Sequence, residues 1–105
     1  LTSQARMLAS DLDVRVESTG SSRYDNKHFD RLVDMLNQPE YQGRELVLVG
    51  IAGSVGNGFI AKNRADYAKQ ILQEKYNISI AISTFGFQSE TDEPAYRQRL
   101  EAWVR

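Results

Sequence analysis

The sequence predicts an α/β (α+β) protein of two layers: a four-stranded mixed sheet with both helices on one face. Three observations predict it. Short stretches either alternate apolar and polar residues or are apolar throughout, which is the patterning of strands. Two longer segments carry apolar residues at helical spacing. The two kinds take turns along the chain in the order β-α-β-α-β-β. Two right-handed β-α-β units put both helices on the same side of a sheet. The last strand has no crossover helix before it and runs antiparallel to the others.

Residues Thr2 to Ser10 are weakly patterned and read as a linker or a short helix, so the chain divides into a leading segment, 1–11, and one domain, 12–105. Leu12-Asp13-Val14-Arg15-Val16-Glu17 alternates strictly, as a strand with one buried face does. Ser18 to Ser22 is a polar loop centred on Gly20. Asp25 or Asn26 caps the first helix. Phe29, Leu32, Val33 and Leu36 form its apolar stripe, with Asp30, Arg31 and Asp34 on the other side. Pro39 and Gly43 end it and make the return. Leu46 to Val49 is apolar on both faces, as an interior strand is.

The second helix spans Ile60 to Tyr76 and turns Ala61, Ala65, Ala68, Ile71 and Leu72 inward. Three alanines on that face let it lie close to the sheet. Asn77 ends it in the left-handed conformation. Ile78, Ile80 and Ile82 alternate with Ser79, Ala81 and Ser83, which predicts the third strand. Gln88 to Pro94 is a polar, acidic loop, in which Thr91 or Asp92 caps a turn beginning near Pro94. Leu100, Ala102 and Val104 alternate with Arg99, Glu101, Trp103 and Arg105 in the fourth strand.

A chain of 105 residues makes one domain and buries roughly two thirds of its unfolded surface. Its 13 basic and 14 acidic residues leave a net charge of −1, and no basic patch points to nucleic acid. The absence of cysteine excludes disulfides and thiolate metal sites. His28 is the single histidine, so a histidine-built metal site is excluded, and its polar surroundings read as exposed surface. No cofactor or metal is expected. No stretch approaches the ~20 apolar residues of a membrane span. The chain starts at Leu1 with no methionine and no signal peptide, which reads as a processed or excised piece.

The one stretch with a chemical character is Gly50 to Ala65, where four glycines stand between an apolar strand and a helix. Such turns expose helix N–H groups and suit anions. Gly56-Asn57-Gly58-Phe59-Ile60-Ala61 fits the dinucleotide fingerprint G-x-G-x-x-A but lies too far from the end of its strand, and no acidic residue follows the next strand. Gly53 to Gly58 has P-loop spacing, but Phe59 stands where lysine is required. Glu90, Asp92 and Glu93 lack the alternate oxygen spacing of a calcium loop. The five tyrosines are scattered, and no nucleophile is linked to a base. Arg64 is expected beside the glycine turn, its head toward solvent or an anion.

Five short motifs in order resemble the OmpA-like C-terminal domain of bacterial envelope proteins, the module that binds peptidoglycan. Gly20-Ser21-Ser22-Arg23-Tyr24-Asp25 is similar to the family's Gly-Ser-Ala-x-Leu-Asp turn. Leu46 to Gly50 resembles the strand before its Gly-His-Thr-Asp turn. Ile60-Ala61-Lys62-Asn63-Arg64-Ala65 resembles its Leu-Ser-x-x-Arg-Ala helix start. Thr84-Phe85-Gly86-Phe87 resembles the aromatic-glycine turn after the third strand, and Arg97-Gln98-Arg99-Leu100-Glu101 resembles Asn-Arg-Arg-Val-Glu. The resemblance runs from about Leu12 to Arg105 and implies a last strand lying between the first two.

The family holds the diaminopimelate of the stem peptide with an aspartate on its ammonium and an arginine on its carboxylate. The resemblance places Arg64 at the arginine, but Gly53 at the aspartate, Arg97 at the asparagine and Gln98 at the next arginine. The candidate ligand residues are therefore Gly53, Asn57, Arg64, Arg97 and Arg99. What the resemblance implies is a non-catalytic, periplasmic domain with weak or lost binding of the peptidoglycan stem peptide, or binding of a simple anion. The alternative is a protein-interaction or spacer domain, touching another envelope protein, at the C-terminus of a larger periplasmic protein such as a solute-binding protein. A small enzyme using the glycine-rich turn ranks below both.

Overall fold

The computed structural model describes residues 10–12, 14–16, 22–52, 58–88 and 99–105. The elements are β1 (Ser10–Leu12), β2 (Val14–Val16), β3 (Ser22–Tyr24), α1 (Asn26–Leu36), a 3₁₀ turn (Pro39–Tyr41), β4 (Glu45–Ala52), α2 (Gly58–Glu74), β5 (Ala81–Gln88) and β6 (Arg99–Val104). The fold is α+β, with two helices and a mixed sheet built on β6, β4 and β5. β4 runs parallel to β5 and antiparallel to β6, so it is hydrogen-bonded along both edges. The short β1 adds to the far edge of β6, in the register Ser10↔Ala102 to Leu12↔Leu100.

The expected first strand, Leu12 to Glu17, is not one strand. Its described residues divide between β1 in the main sheet and β2, which pairs antiparallel with β3 in a separate two-stranded sheet, Val14↔Tyr24 to Val16↔Ser22. Alternation fixes which residues share a face but not which partner strand they meet. β1 also takes in Ser10 and Asp11 of the leading segment.

α1 begins where the Asp25 carboxylate accepts from the Lys27 amide at 2.8 Å. It buries Phe29, Leu32 and Leu36, each worth about 1.5–3 kcal/mol removed from water. Gly43, at φ 77°, makes the return to β4. In α2, Ala61, Ala65, Ala68, Ile71 and Leu72 are all buried, as the spacing predicts. Asn77 follows at φ 54°, in the left-handed region expected of it. One core joins Phe29, Leu32 and Leu36 of α1 and Ala65, Ala68 and Leu72 of α2 to Leu46, Leu48, Leu100, Ala102 and Val104 of the sheet.

α2 lies unusually close to the strands. A Cβ on Gly50 would stand 1.9 Å from the Ala61 carbonyl oxygen, and one on Gly86 would stand 2.6 Å from the Lys62 amide nitrogen. Alanines on the helix and glycines on β4 and β5 allow this approach together. The third strand also differs from expectation: β5 covers Ala81–Gln88, not Ile78–Ser83. Ile78 and Ile80 instead pack against the core from the connection out of α2. Thr84 to Phe87, expected as a turn, is the body of β5.

Candidate functional site

Arg64 sits in the second turn of α2 and is the one charged residue buried among those described, at 4% exposure. The expectation of a head turned to solvent is corrected. Its Nη1 donates to the carbonyl oxygen of Ile51, near the end of β4. The close packing of α2 on β4 brings the guanidinium to the strand's end, where it joins helix to sheet. A guanidinium enclosed there has given up the water that an approaching carboxylate would replace.

Arg99 lies on the other face of the sheet. Leu100, Ala102 and Val104 point into the core beneath the helices. Period-two alternation therefore turns Arg99, Glu101 and Trp103 away from them. There Arg99 Nη2 is paired with Glu101 Oε2, and Trp103 Nε1 donates to Glu101 Oε1 at 2.9 Å. The structure thus separates the two described candidates, Arg64 and Arg99, by the thickness of the sheet. Gly53, Asn57 and Arg97 lie outside the described residues, as do the acidic loop at Glu90, Asp92 and Glu93 and the loop at Gly20.

On the helix side, Lys62 Nζ contacts Asp66 Oδ1 at 2.7 Å and Thr84 Oγ1 at 2.6 Å, while Thr84 donates to Asp66 at 2.7 Å. Partial burial works to raise the Asp66 pKa. The hydrogen bonds from Lys62 and Thr84 outweigh it and hold the carboxyl below its ordinary range. The three groups close a ring on one another at the seam between α2 and β5. His28, at the start of α1, stands 3.9 Å from Asp25 with its side chain partly exposed. Tyr76 donates to Asp30 at 2.7 Å. Burial, then that bond, pushes its hydroxyl up to about 12. The Tyr76 bond ties the segment after α2 to α1, while the His28 contact stays within the first turn of α1.

Two features were not anticipated. A cleft of about 400 Å³ opens at the opposite end of the sheet from Arg64, between Leu36, Tyr41, Gln42, Asn77 and Ile80. Its one charged wall is Arg44. The second is the sheet face away from the helices. Thr84 and Gly86 meet α2, so Phe85 and Phe87 point the opposite way, and they are 49% and 57% exposed. Across the ladder, Phe85 neighbours Val49 and Phe87 neighbours Ile51. Val49, in turn, faces Glu101, and Val47 faces Trp103. The signal was present in the sequence: continued past Ser83, the alternation places both phenylalanines opposite Ile82 and Thr84.

Among the described residues no three His, Asp or Glu side chains gather as metal ligands, and no helix is long and apolar enough to cross a membrane. No known family model matches the chain, and no characterised protein matches it significantly.

Proposed function

We propose that this chain is a non-catalytic domain of OmpA-like type from the bacterial cell envelope, in which binding of the peptidoglycan stem peptide is weak or lost. One observation carries the reading: Arg64, at the family's arginine position, is buried at 4% exposure and donates to the Ile51 carbonyl. The order of elements supports it, as does a last strand, β6, between β1 and β4. So does Gly53, which stands where the family has an aspartate. Without that carboxylate the ligand's ammonium has no opposed charge. Losing one buried partner of a charge pair typically costs about 2–5 kcal/mol, two or more decades of affinity.

A second reading, an interaction domain for another envelope protein, is favoured by a specific observation. Two half-exposed phenylalanines stand side by side on a sheet face that no described helix covers. The two readings are compatible, since a domain that no longer grips the cell wall keeps this surface.

Calorimetric titration with diaminopimelate and with sulfate tests the proposal. The expected result is binding no tighter than about 1 mM for either, with no preference between them. Stereoselective diaminopimelate binding near about 1 μM would overturn it.

A further inference from the structure

We propose that the cleft where β4 and β5 begin is a binding site for a small organic carboxylate, an acid group on an apolar body, with Arg44 as its counter-ion. The inference goes beyond the reading of the Arg64 end, which lies at the other end of the sheet. The cleft holds about 400 Å³, inside the range of about 300–1,000 Å³ usual for small-ligand sites. Every residue named in its wall belongs to the described part of the chain. The backbone sets its shape. The two left-handed residues among those described, Gly43 at φ 77° and Asn77 at φ 54°, both stand in that wall.

Two polar side chains of the wall are unspent. Arg44 is half-buried and makes no ion pair or side-chain hydrogen bond with any described residue. Its neighbour in sequence, Glu45, is already taken by Ser83 and by Arg105, whose Nη2 stands 2.9 Å from the carboxylate. Tyr41 is only 6% exposed, yet its hydroxyl makes no hydrogen bond with a described residue. A buried tyrosine ordinarily places its hydroxyl on a partner. Arg64 has no such spare capacity, because it is held on the Ile51 carbonyl.

The chemistry of the wall selects the ligand. No aspartate or glutamate lines it. The guanidinium fork of Arg44 matches a carboxylate with two parallel hydrogen bonds, and the Tyr41 hydroxyl and the Asn37 and Asn77 amides are further donors. Ile78 and Ile80, packed against the core, supply an apolar floor. Both helices end at this cleft, and helix C-termini repel anions. Their carbonyls are in part engaged: Val33 accepts from the Asn37 amide at 3.0 Å, Met35 from Gln38 at 3.1 Å and Leu72 from Ile78 at 3.0 Å. The remaining negative field disfavours a bare inorganic anion. It leaves a ligand that brings apolar surface together with its charge.

Amide chemical-shift titration of the full chain with hexanoate tests this, with hexanamide, hexylamine and sulfate as the other arms. The expected result is saturable shifts at Gly43, Asn77 and Ser79, with a dissociation constant of about 0.1–1 mM. Hexanamide, hexylamine and sulfate should each bind about tenfold more weakly or worse. Arg44→Gln removes the counter-ion from a half-buried position, and Ser79→Asp sets a like charge in an exposed part of the wall. Each should weaken hexanoate about tenfold or more. Arg31→Gln, on an exposed position of α1 outside the cleft, should leave it unchanged. The absence of saturable shifts up to about 10 mM overturns the proposal. So do shifts centred on Ile51 and Ala52, hexanamide or sulfate binding as tightly as hexanoate, or Arg31→Gln weakening it as much as Arg44→Gln. Diaminopimelate titration reports on the Arg64 end, so the two readings fail separately.

Discussion

Replacing Arg64 with methionine separates a structural arginine from one reserved for a ligand. Methionine keeps an unbranched apolar stem in the space beside α2 and removes the guanidinium. The Ile51 carbonyl then loses the Nη1 donor that ties the end of β4 to the helix. A hydrogen bond to a charged donor contributes about 1.5–3 kcal/mol. Relief from holding a charge at 4% exposure offsets part of this, leaving a net loss of about 1–2 kcal/mol. In a domain of this size each kcal/mol moves the melting temperature by about 4–8 °C, so a fall of about 5–15 °C is expected. Circular dichroism melts and urea titrations measure it, with a lower midpoint and an unchanged slope. An Arg64→Met chain as stable as the parent, or more stable, would refute the reasoning. Residues kept for a ligand at the expense of stability behave in that way.

The glycines under α2 make a second prediction. Gly50→Ala drives a Cβ to 1.9 Å from the Ala61 carbonyl oxygen, backbone against backbone, and should cost about 3 kcal/mol or more by urea titration. Gly43→Ala meets open space and should cost less, about 1 kcal/mol, from its φ of 77° alone. Acid titration makes a third. Hydrogen bonds from Ser83, then from Arg105, hold the Glu45 carboxyl below its ordinary value of 4.5. Its contribution is therefore present above about pH 4.5 and is lost as pH falls through the lower folded value. Glu45→Gln should flatten the dependence of stability on pH below that point while leaving its shape near neutrality unchanged.

Much of the fold was legible because periodicity and backbone chemistry agreed. The stripe at Phe29, Leu32 and Leu36, the alanine face of α2, the left-handed Asn77 and the alternation of β6 are all local signals, and each survives in the structure. What failed was partner choice and phase. Alternation at Leu12 to Glu17 does not say that two different strands share it. The isoleucines at 78 and 80 bury against the core without entering a ladder, so their spacing mimicked a strand and moved β5 three residues too early. That shift in turn hid Phe85 and Phe87 inside an assumed turn. Arg64 was misjudged for a different reason. Its place on the margin of the alanine stripe was readable, but a long side chain reaches a carbonyl on β4 that only the assembled packing brings near.

Co-sedimentation with purified peptidoglycan sacculi tests the central claim most directly. The account predicts that the full chain stays in the supernatant, or that any trace in the pellet is unaffected by added diaminopimelate. A chain that sediments with the sacculi and is released by diaminopimelate, but not by sulfate, would contradict it.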